Sequence, residues 1–437
     1  MGLIPIWLRH RRRFVICAGI ITLVLATVNV LRGPRHISLF AGDPIPSFAH
    51  EKGYRDPCAS LTGLEDVFVI VRTGSNEVHR KLLPLLNTTL PCFRHYGIWS
   101  DMEEEVAGQH IENALDEIDP RLVEKHPDFE YYRHLQEQDR GNASSDEVAG
   151  WADAPNTDLG RDTPAWKLDK WKFLPVAKRA YRRHPTSKWY ILIECDTYVF
   201  WASLLAYLSG IDASRPYYIG RQMNMAEDVF AYGGAGILIS NPVMEKLVEQ
   251  HSSSPEVYDE LTISQWAGDY VLSRVWPTLE GEMPSALNLK TMSTKRHPLL
   301  CYYAVTYHHL TPDDIYLYYD FDRSWDSVNL GLPRHRDVFR HMIYPYIKDE
   351  LPDWDNLSSD VQSQNASFAE CREMCEEKKD CVQFSLAART CRTSAALKLG
   401  KKKQAGERVD SGWMMKRVEA SMEEIEASCS GQDWILP

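Results

Sequence analysis

The sequence has no surplus of positive charge. It carries 49 Lys and Arg against 61 Asp and Glu, a formal net charge of −12. Proteins that hold nucleic acid through phosphate contacts do so with clustered Lys and Arg, so this balance argues against a nucleic-acid partner. A polyanionic ligand would need a local basic site or a metal. There is no internal repeat, which leaves no basis for a solenoid, and the one biased stretch is the short basic "KLGKKK" (398–403). What is present is ordinary for a folded chain: 44% hydrophobic residues, with Trp and Tyr plentiful. At 437 residues the chain exceeds one ordinary core, so two folded units are expected.

One long uncharged apolar run occurs near the start, "FVICAGIITLVLATVNVL" (Phe14 to Leu31), behind the basic cluster "RHRRR" (Arg9 to Arg13). About 17–25 apolar residues span a bilayer as a helix, and basic residues on the N-terminal side favour a cytosolic N-terminus. A cleaved signal peptide would have a shorter apolar core, roughly 7–15 residues, and no small-x-small cleavage site follows. The expectation is a cytosolic tail (1–13), a single-pass signal anchor (14–31) and a stem (32–60). The body then lies in the lumen of the Golgi or endoplasmic reticulum. Four Asn-x-Ser/Thr sequons, at Asn87, Asn142, Asn356 and Asn365, agree with a lumenal body.

From residue 61 to about 350, short apolar runs alternate with amphipathic ones. "DVFVIVRTG" (66–74) reads as a strand ending in a Gly turn, "HRKLLPLLNTTL" as a helix with an internal Pro, and "CFRHYGIWSD" (92–101) as a second strand. The polar stretch 141–164 reads as a long exposed loop. "WKFLPVAKRAYRRHP" reads as a helix leading into "KWYILIECDTYVF", and "PYYIG", "GGAGILIS" and a helical "NPVMEKLVEQH" follow. Alternating strands and helices predict a mainly parallel sheet covered by helices. In such sheets ligands bind beyond the carboxyl ends of the strands. Three predicted strands end in polar groups there: Thr73, Asp101 and the pair Glu194/Asp196.

Glu194 and Asp196, two apart, point the same way if the strand stays extended. Paired carboxylates repel unless a cation lies beside them, and carboxylate oxygens suit Mg²⁺ or Mn²⁺. Such an ion can offset the charge gained by a departing nucleoside diphosphate. "E-x-D" alone is also what a solvated turn looks like.

The run "KWYILIECDTYVFWASLLAYLSG" resembles the Asp-x-Asp segment of glycosyltransferase family 31, which includes the Fringe enzymes and the core 1 β-1,3-galactosyltransferases. "VRTG" (71–74), "IWSD" (98–101), "GGAGILIS" (233–240), "GDYVLS" (268–273) and "YHHLTP" (307–312) extend the resemblance in order over about residues 64–312. It is of the fungal type. The resemblance implies a GT-A fold, a UDP-sugar donor, Mn²⁺ (or Mg²⁺) and inversion at the anomeric carbon. It assigns Asp196 as the direct metal ligand, with Glu194 and Cys195 standing where the family has Asp. Thr73 and Gly74 fall where the family binds the nucleotide, and Asp101 where nucleoside contacts are expected. Lys172 falls where a phosphate contact is expected, and Gly234 and Ala235 lie beside the donor.

Asp269 matches the family's general base, although an Asp opening a helix is also a good N-cap. His308 matches the metal-binding His, with His309 as the alternate. If that segment is a strand, the two face opposite sides and only one can be a ligand. Glu227 and Asp228 belong either to an acceptor loop or to a solvated one. Cys195 reads as a small buried residue, an oxidisable thiol or a partner for Cys301.

The C-terminal "CREMCEEKKDCVQFSLAARTC" places Cys371 and Cys375 on one helical face and Cys381 and Cys391 beyond it. Four cysteines allow three pairings, and the residues alone choose none. A zinc site lacks a nearby His. The segment (366–430), with "SGWMMKRV", resembles a PAN/apple domain, and that resemblance implies Cys371–Cys391 and Cys375–Cys381, and a carbohydrate or protein ligand. Cys58 and Cys92 are placed to pair near the start of the catalytic domain, and Cys429 has no evident partner. The resulting expectation is a membrane-anchored transferase. It moves a hexose or N-acetylhexosamine from a UDP-sugar to a glycan or glycoprotein acceptor, in β-1,3 linkage. The alternative is an inactive relative acting as a glycoprotein chaperone or glycan-binding protein.

Overall fold

Strand β1 (Val67–Arg72) is a run of β-branched and aromatic residues without a turn former, and every residue in it is buried. Such runs belong at the centre of a sheet covered on both faces. In the computed structural model β1 sits there, parallel to β2 (Tyr96–Ser100) on one side. The described residues are 58–59, 61–139, 163–276, 281–282, 285–286, 297–327, 331–403, 407–429 and 434. The expected tail, the signal anchor, nearly all of the stem and the sequon at Asn142 lie outside them. Among the described residues no helix is long and apolar enough to cross a membrane.

Beyond β2 the sheet continues through a short hairpin, β3 (Glu104–Val106) and β4 (Gln109–Asn113). On the other side β1 pairs in parallel with β5 (Trp189–Glu194). The two-residue β6 (Tyr198–Val199) follows and belongs to a different sheet. After it come β7 (Tyr218–Gly220), a hairpin of β8 (Gln222–Met225) and β9 (Asp228–Ala231), and β10 (Ile237–Ser240). Two-residue strands β11 (Gly281–Glu282), β12 (Ser285–Ala286) and β13 (Thr306–Tyr307) complete this part. The main sheet runs β11-β7-β10-β5-β1-β2-β4-β3. It is mainly parallel, as expected; β10 runs antiparallel to both neighbours.

The helices that bear on the site are α1 (Val78–Thr88), α2 (Pro164–Asp169), α3 (Phe173–Arg183), α4 (Asn241–Ser253) and α5 (Gly268–Val275). Further along lie α6 (His297–Cys301) and α7 (Pro312–Ser327). Pro84 lies inside α1, as predicted. Pro175 falls in the first turn of α3, where its missing N–H costs nothing. The core joins Phe68, Ile70, Trp99, Tyr190, Leu192 and Ile237 of the sheet to Val176, Val243 and Val271 of the helices.

The C-terminal module has its own sheet. Its strands are β14 (Trp354–Asp355), β15 (Asp360–Ser363), β16 (Gln383–Ala387), β17 (Thr390–Ser394), β18 (Lys401–Lys402) and β19 (Val409–Trp413). Four of them form an antiparallel sheet, β15-β17-β16-β19. Helix α8 (Phe368–Glu377) packs on it, opened by a capping box between Ser367 and Glu370. Cys371–Cys391 joins the helix to β17, and Cys375–Cys381 ties the helix to the loop that leads into β16.

Cys58 pairs with Cys92, and Cys429, which had no evident partner, pairs with Cys301. That bond removes the alternative of a Cys195–Cys301 pair: Cys195 is buried and free, as its reading as a small buried residue expects. It ties the end of α9 (Met415–Ser428) to α6. Asn356 corrects another expectation. It is fully buried, its amide donating to the carbonyls of Phe384 (2.9 Å) and Gly412 (3.3 Å), so its sequon is not a surface acceptor. Asn87 and Asn365 are exposed.

Candidate active site

The register of the sheet aligns the tips of its central strands. Arg72, the last residue of β1, stands opposite Glu194, the last of β5, and Trp99 of β2. The chain turns immediately after Glu194, with Thr197 N–H donating to the Glu194 carbonyl (3.1 Å). Asp196 therefore lies in a turn, not on the extended strand, and the two carboxylates take different partners. Glu194 pairs with the Arg72 guanidinium, which also holds Asp169. Asp196 Oδ2 pairs with Lys81 Nζ of α1 at 2.9 Å.

A second, three-stranded sheet brings the imidazoles to this turn. β13 pairs antiparallel with β6, Tyr307 opposite Tyr198, which carries the residues after Tyr307 back toward Asp196. Leu310 N–H donates to the Asp196 carbonyl (3.1 Å). His308 is buried, its Nδ1 lying 3.1 Å from Asp196 Oδ1 and its Nε2 lying 3.7 Å from Glu194 Oε2. The strand ends at Tyr307, and His309 adopts φ +61°. That left-handed turn swings its ring to the same side as His308, with ring centroids 4.0 Å apart. The expectation that the two face opposite ways fails for this reason. Asp196, His308 and His309 each offer a ligand atom within 4.8 Å of the others.

This donor set fits a divalent ion. One carboxylate with two imidazoles suits a divalent transition-metal ion, and Asp196 Oδ1 is buried with no hydrogen bond aligned on it. Burial alone would raise the Asp196 carboxyl; the His308 imidazole and the Lys81 ammonium outweigh it and hold the group well below the usual carboxylate range. Burial would lower His308, and Asp196 and Glu194 raise it instead. Burial raises Glu194, with Arg72 and His308 offsetting only part. Burial also pushes the Cys195 thiol up, which makes it a poor ligand and an inert nucleophile.

The glycine turn before β10 forms the facing wall. Gly236 has φ +95°, a conformation that costs Gly little. Gly234 is needed for space: a Cβ there would lie 2.2 Å from His308 Nε2. Thr197 Oγ1 donates to the Gly234 carbonyl (2.8 Å), and Thr306 Oγ1 to that of Ala235 (2.6 Å). Gly233 N–H donates to Asp269 Oδ2 (2.8 Å). Asp269 is buried in the first turn of α5, where Ala267, not Asp269, is the N-cap. Its Oδ1 accepts from Tyr270 N–H (2.9 Å). Burial raises its carboxyl despite these two bonds. Asp269 and His308 thus lie against consecutive glycines.

A cleft opens beside β1 and β2, and Gly74, Asp101, Asp169 and Lys172 help to line it. Thr73 is buried, and its carbonyl accepts from Lys172 Nζ (2.8 Å). Lys172 also pairs with Asp101 (3.2 Å) and Asp169 (3.5 Å). Burial would lower Lys172, but Asp101 and Asp169 raise it. Asp101 Oδ1 accepts from Ser75 N–H (2.7 Å). Asp169 links this cleft to the metal-type cluster through Arg72. Asp228 is tied to Tyr270 (2.7 Å) and Arg274 (3.0 Å), and Glu227 is exposed at the β8–β9 turn.

The sequence reading missed Arg72, Lys81 and Asp169. Arg72 lay inside "VRTG", where a buried strand ending in Arg already signals a carboxylate partner. Lys81 has no comparable local signal.

Residues 62–279 match the family model described as Fringe-like, a likeness that points to a glycosyltransferase. No curated protein matches the chain.

Proposed function

We propose that the Fringe-like domain is an inverting transferase that moves a hexose or N-acetylhexosamine from a UDP-sugar to a hydroxyl of a glycan or glycoprotein, in β-1,3 linkage. One observation carries this reading: the metal-type cluster of Asp196, His308 and His309 and the buried carboxylate Asp269 meet on the two sides of the Gly233–Gly234 turn. Asp196 with His308, or with His309, would hold Mn²⁺ or Mg²⁺, and the ion would supply positive charge for the diphosphate leaving group. Thr73, Gly74, Asp101 and Lys172 line the nucleotide side. Glu194, Gly234 and Ala235 stand beside the sugar.

Asp269 takes the proton from the attacking acceptor hydroxyl. Its carboxylate is oriented by two backbone N–H groups, and its raised pKa makes it a stronger base than a solvated Asp. The body of the chain is lumenal, in the Golgi or endoplasmic reticulum, anchored by residues 14–31. Four disulfides among the described residues suit that oxidising compartment. The C-terminal module, of PAN/apple type, binds a carbohydrate or protein partner.

The test is turnover of a panel of UDP-sugars by the full-length protein, with and without Mn²⁺. Asp269→Asn is expected to lower kcat by about 10²–10⁴ while its melting temperature holds. Unchanged turnover in the variant removes the base assignment. A second reading has its own support: Glu194 and Asp196 are already neutralised by Arg72 and Lys81, as an inactive chaperone or glycan-binding relative would tolerate. No turnover of any donor, with glycan binding retained, would establish it.

A further inference from the structure

The carboxylate assigned to the metal is not waiting for one. Asp196 Oδ2 holds Lys81 Nζ at 2.9 Å, and the Lys81 side chain is only 12% exposed. Lys81 projects from the second turn of α1. One turn earlier Glu77 holds the same ammonium at 2.7 Å. Lys81 therefore has two carboxylate partners, one at the metal-type cluster and one on its own helix. Both pairs are nearly closed to solvent, where charges are screened least. A Lys carries a compact charge on a flexible stem, so it can give up one partner and keep the other.

We propose that Lys81 is a tethered competitor of the divalent ion: it shares Asp196 with the metal, and it is parked on Glu77 when the metal takes the carboxylate. This rests on the metal reading above. A +2 ion and an ammonium cannot both sit on the buried Asp196 at full strength, because each repels the other at that range. An ion on Oδ1 competes with Lys81 on Oδ2 for the charge of one carboxylate, so it loosens Lys81, and its affinity is reduced by the strength of that pair. Glu77 sets the balance. It lowers the cost of release by offering the ammonium a place to go. The chemical consequence is a site whose Asp196 charge is already countered by Lys81 and that fills best when a diphosphate arrives with the ion to add negative charge.

The test is Mn²⁺ alone, titrated into the full-length protein and its variants and followed by electron paramagnetic resonance of the free ion. Lys81→Met keeps the stem and removes the charge; it is expected to bind Mn²⁺ at least tenfold tighter than the wild type. Lys81→Arg keeps the charge and is expected to stay within about threefold. Glu77→Gln leaves Lys81 only Asp196, and is expected to weaken Mn²⁺ severalfold. Melting curves in EDTA check that each variant folds, and if Lys81→Met does not, the opposite-signed Glu77→Gln effect decides. Equal or weaker Mn²⁺ binding by Lys81→Met, or tighter binding by Glu77→Gln, overturns the proposal while leaving the metal reading in place. Absence of Mn²⁺ binding in all four proteins overturns the metal reading and this proposal with it.

Discussion

In the Fringe-like domain, a wide sheet buries whole strands such as β1 and leaves charged groups only at their tips. There Arg72, Lys81 and Lys172 pair with Asp169, Glu194, Asp196 and Asp101 in a cluster that is mostly buried. In the C-terminal module the buried cluster is small, drawn from Ala366, Phe384 and four cysteines, and no comparable ion network stands among its described residues. Two short covalent loops, 20 and 6 residues in separation, take its place. A large apolar core can carry buried ion pairs, which cost desolvation and return little net stability. A small core cannot, and cross-links supply what area does not. Buried charge thus gathers at the candidate site, and two short cross-links stand in the small core of the C-terminal module.

The comparison breaks most sharply at Gly234. Gly234→Ala places a Cβ 2.2 Å from His308 Nε2, and the buried ring has no room to retreat. Loss of Mn²⁺ binding and of at least 100-fold in turnover is expected, of the order that oriented catalytic groups contribute, together with a lowered melting temperature from the overpacked ring. Isothermal titration and a UDP-release assay check it. The converse change, Cys371→Ala with Cys391→Ala, should cost about 3 kcal/mol in the module's unfolding, read by hydrogen exchange, and leave Mn²⁺ affinity unchanged. A drop in Mn²⁺ affinity would show that the two regions are coupled.

A smaller effect separates the regions by pH. Asp269 works as a base only when ionised, and burial raises its pKa. The acid limb of kcat/KM should fall at a pH above the ~3.9 of a solvated Asp, with activity lost as pH drops through it. The melting of the C-terminal module should show no matching inflection. The smallest effect is expected at the Arg372–Glu350 pair, where Glu350 is 62% exposed. Arg372→Ala should change stability by less than about 1 kcal/mol, and a larger loss would mean that surface charge does contribute in this module.

Much of this was legible in the sequence because it is local. The strands at 66–74 and 92–101, the helix around Pro84 and the glycine turn each announce themselves by pattern. Asp196, Asp269 and His308 were found through resemblance, and the structure gathers them around one turn. What escaped depends on distance along the chain. Lys81 meets Asp196 across 115 residues and Arg72 meets Glu194 across 122, and Cys301 reaches Cys429 across 128. No window of sequence displays such pairings. That His308 and His309 face the same side is hidden for a backbone reason, since one positive φ reverses the facing that strand alternation predicts.

On the lumenal reading proposed above, the amide of Asn356 would impose an order of events on biosynthesis. Its two hydrogen bonds to Phe384 and Gly412 can form only on a bare side chain, so attaching an oligosaccharide and closing the module exclude each other. Whichever happens first on the emerging chain decides its fate, and a glycan at this position would tag a molecule that never matured.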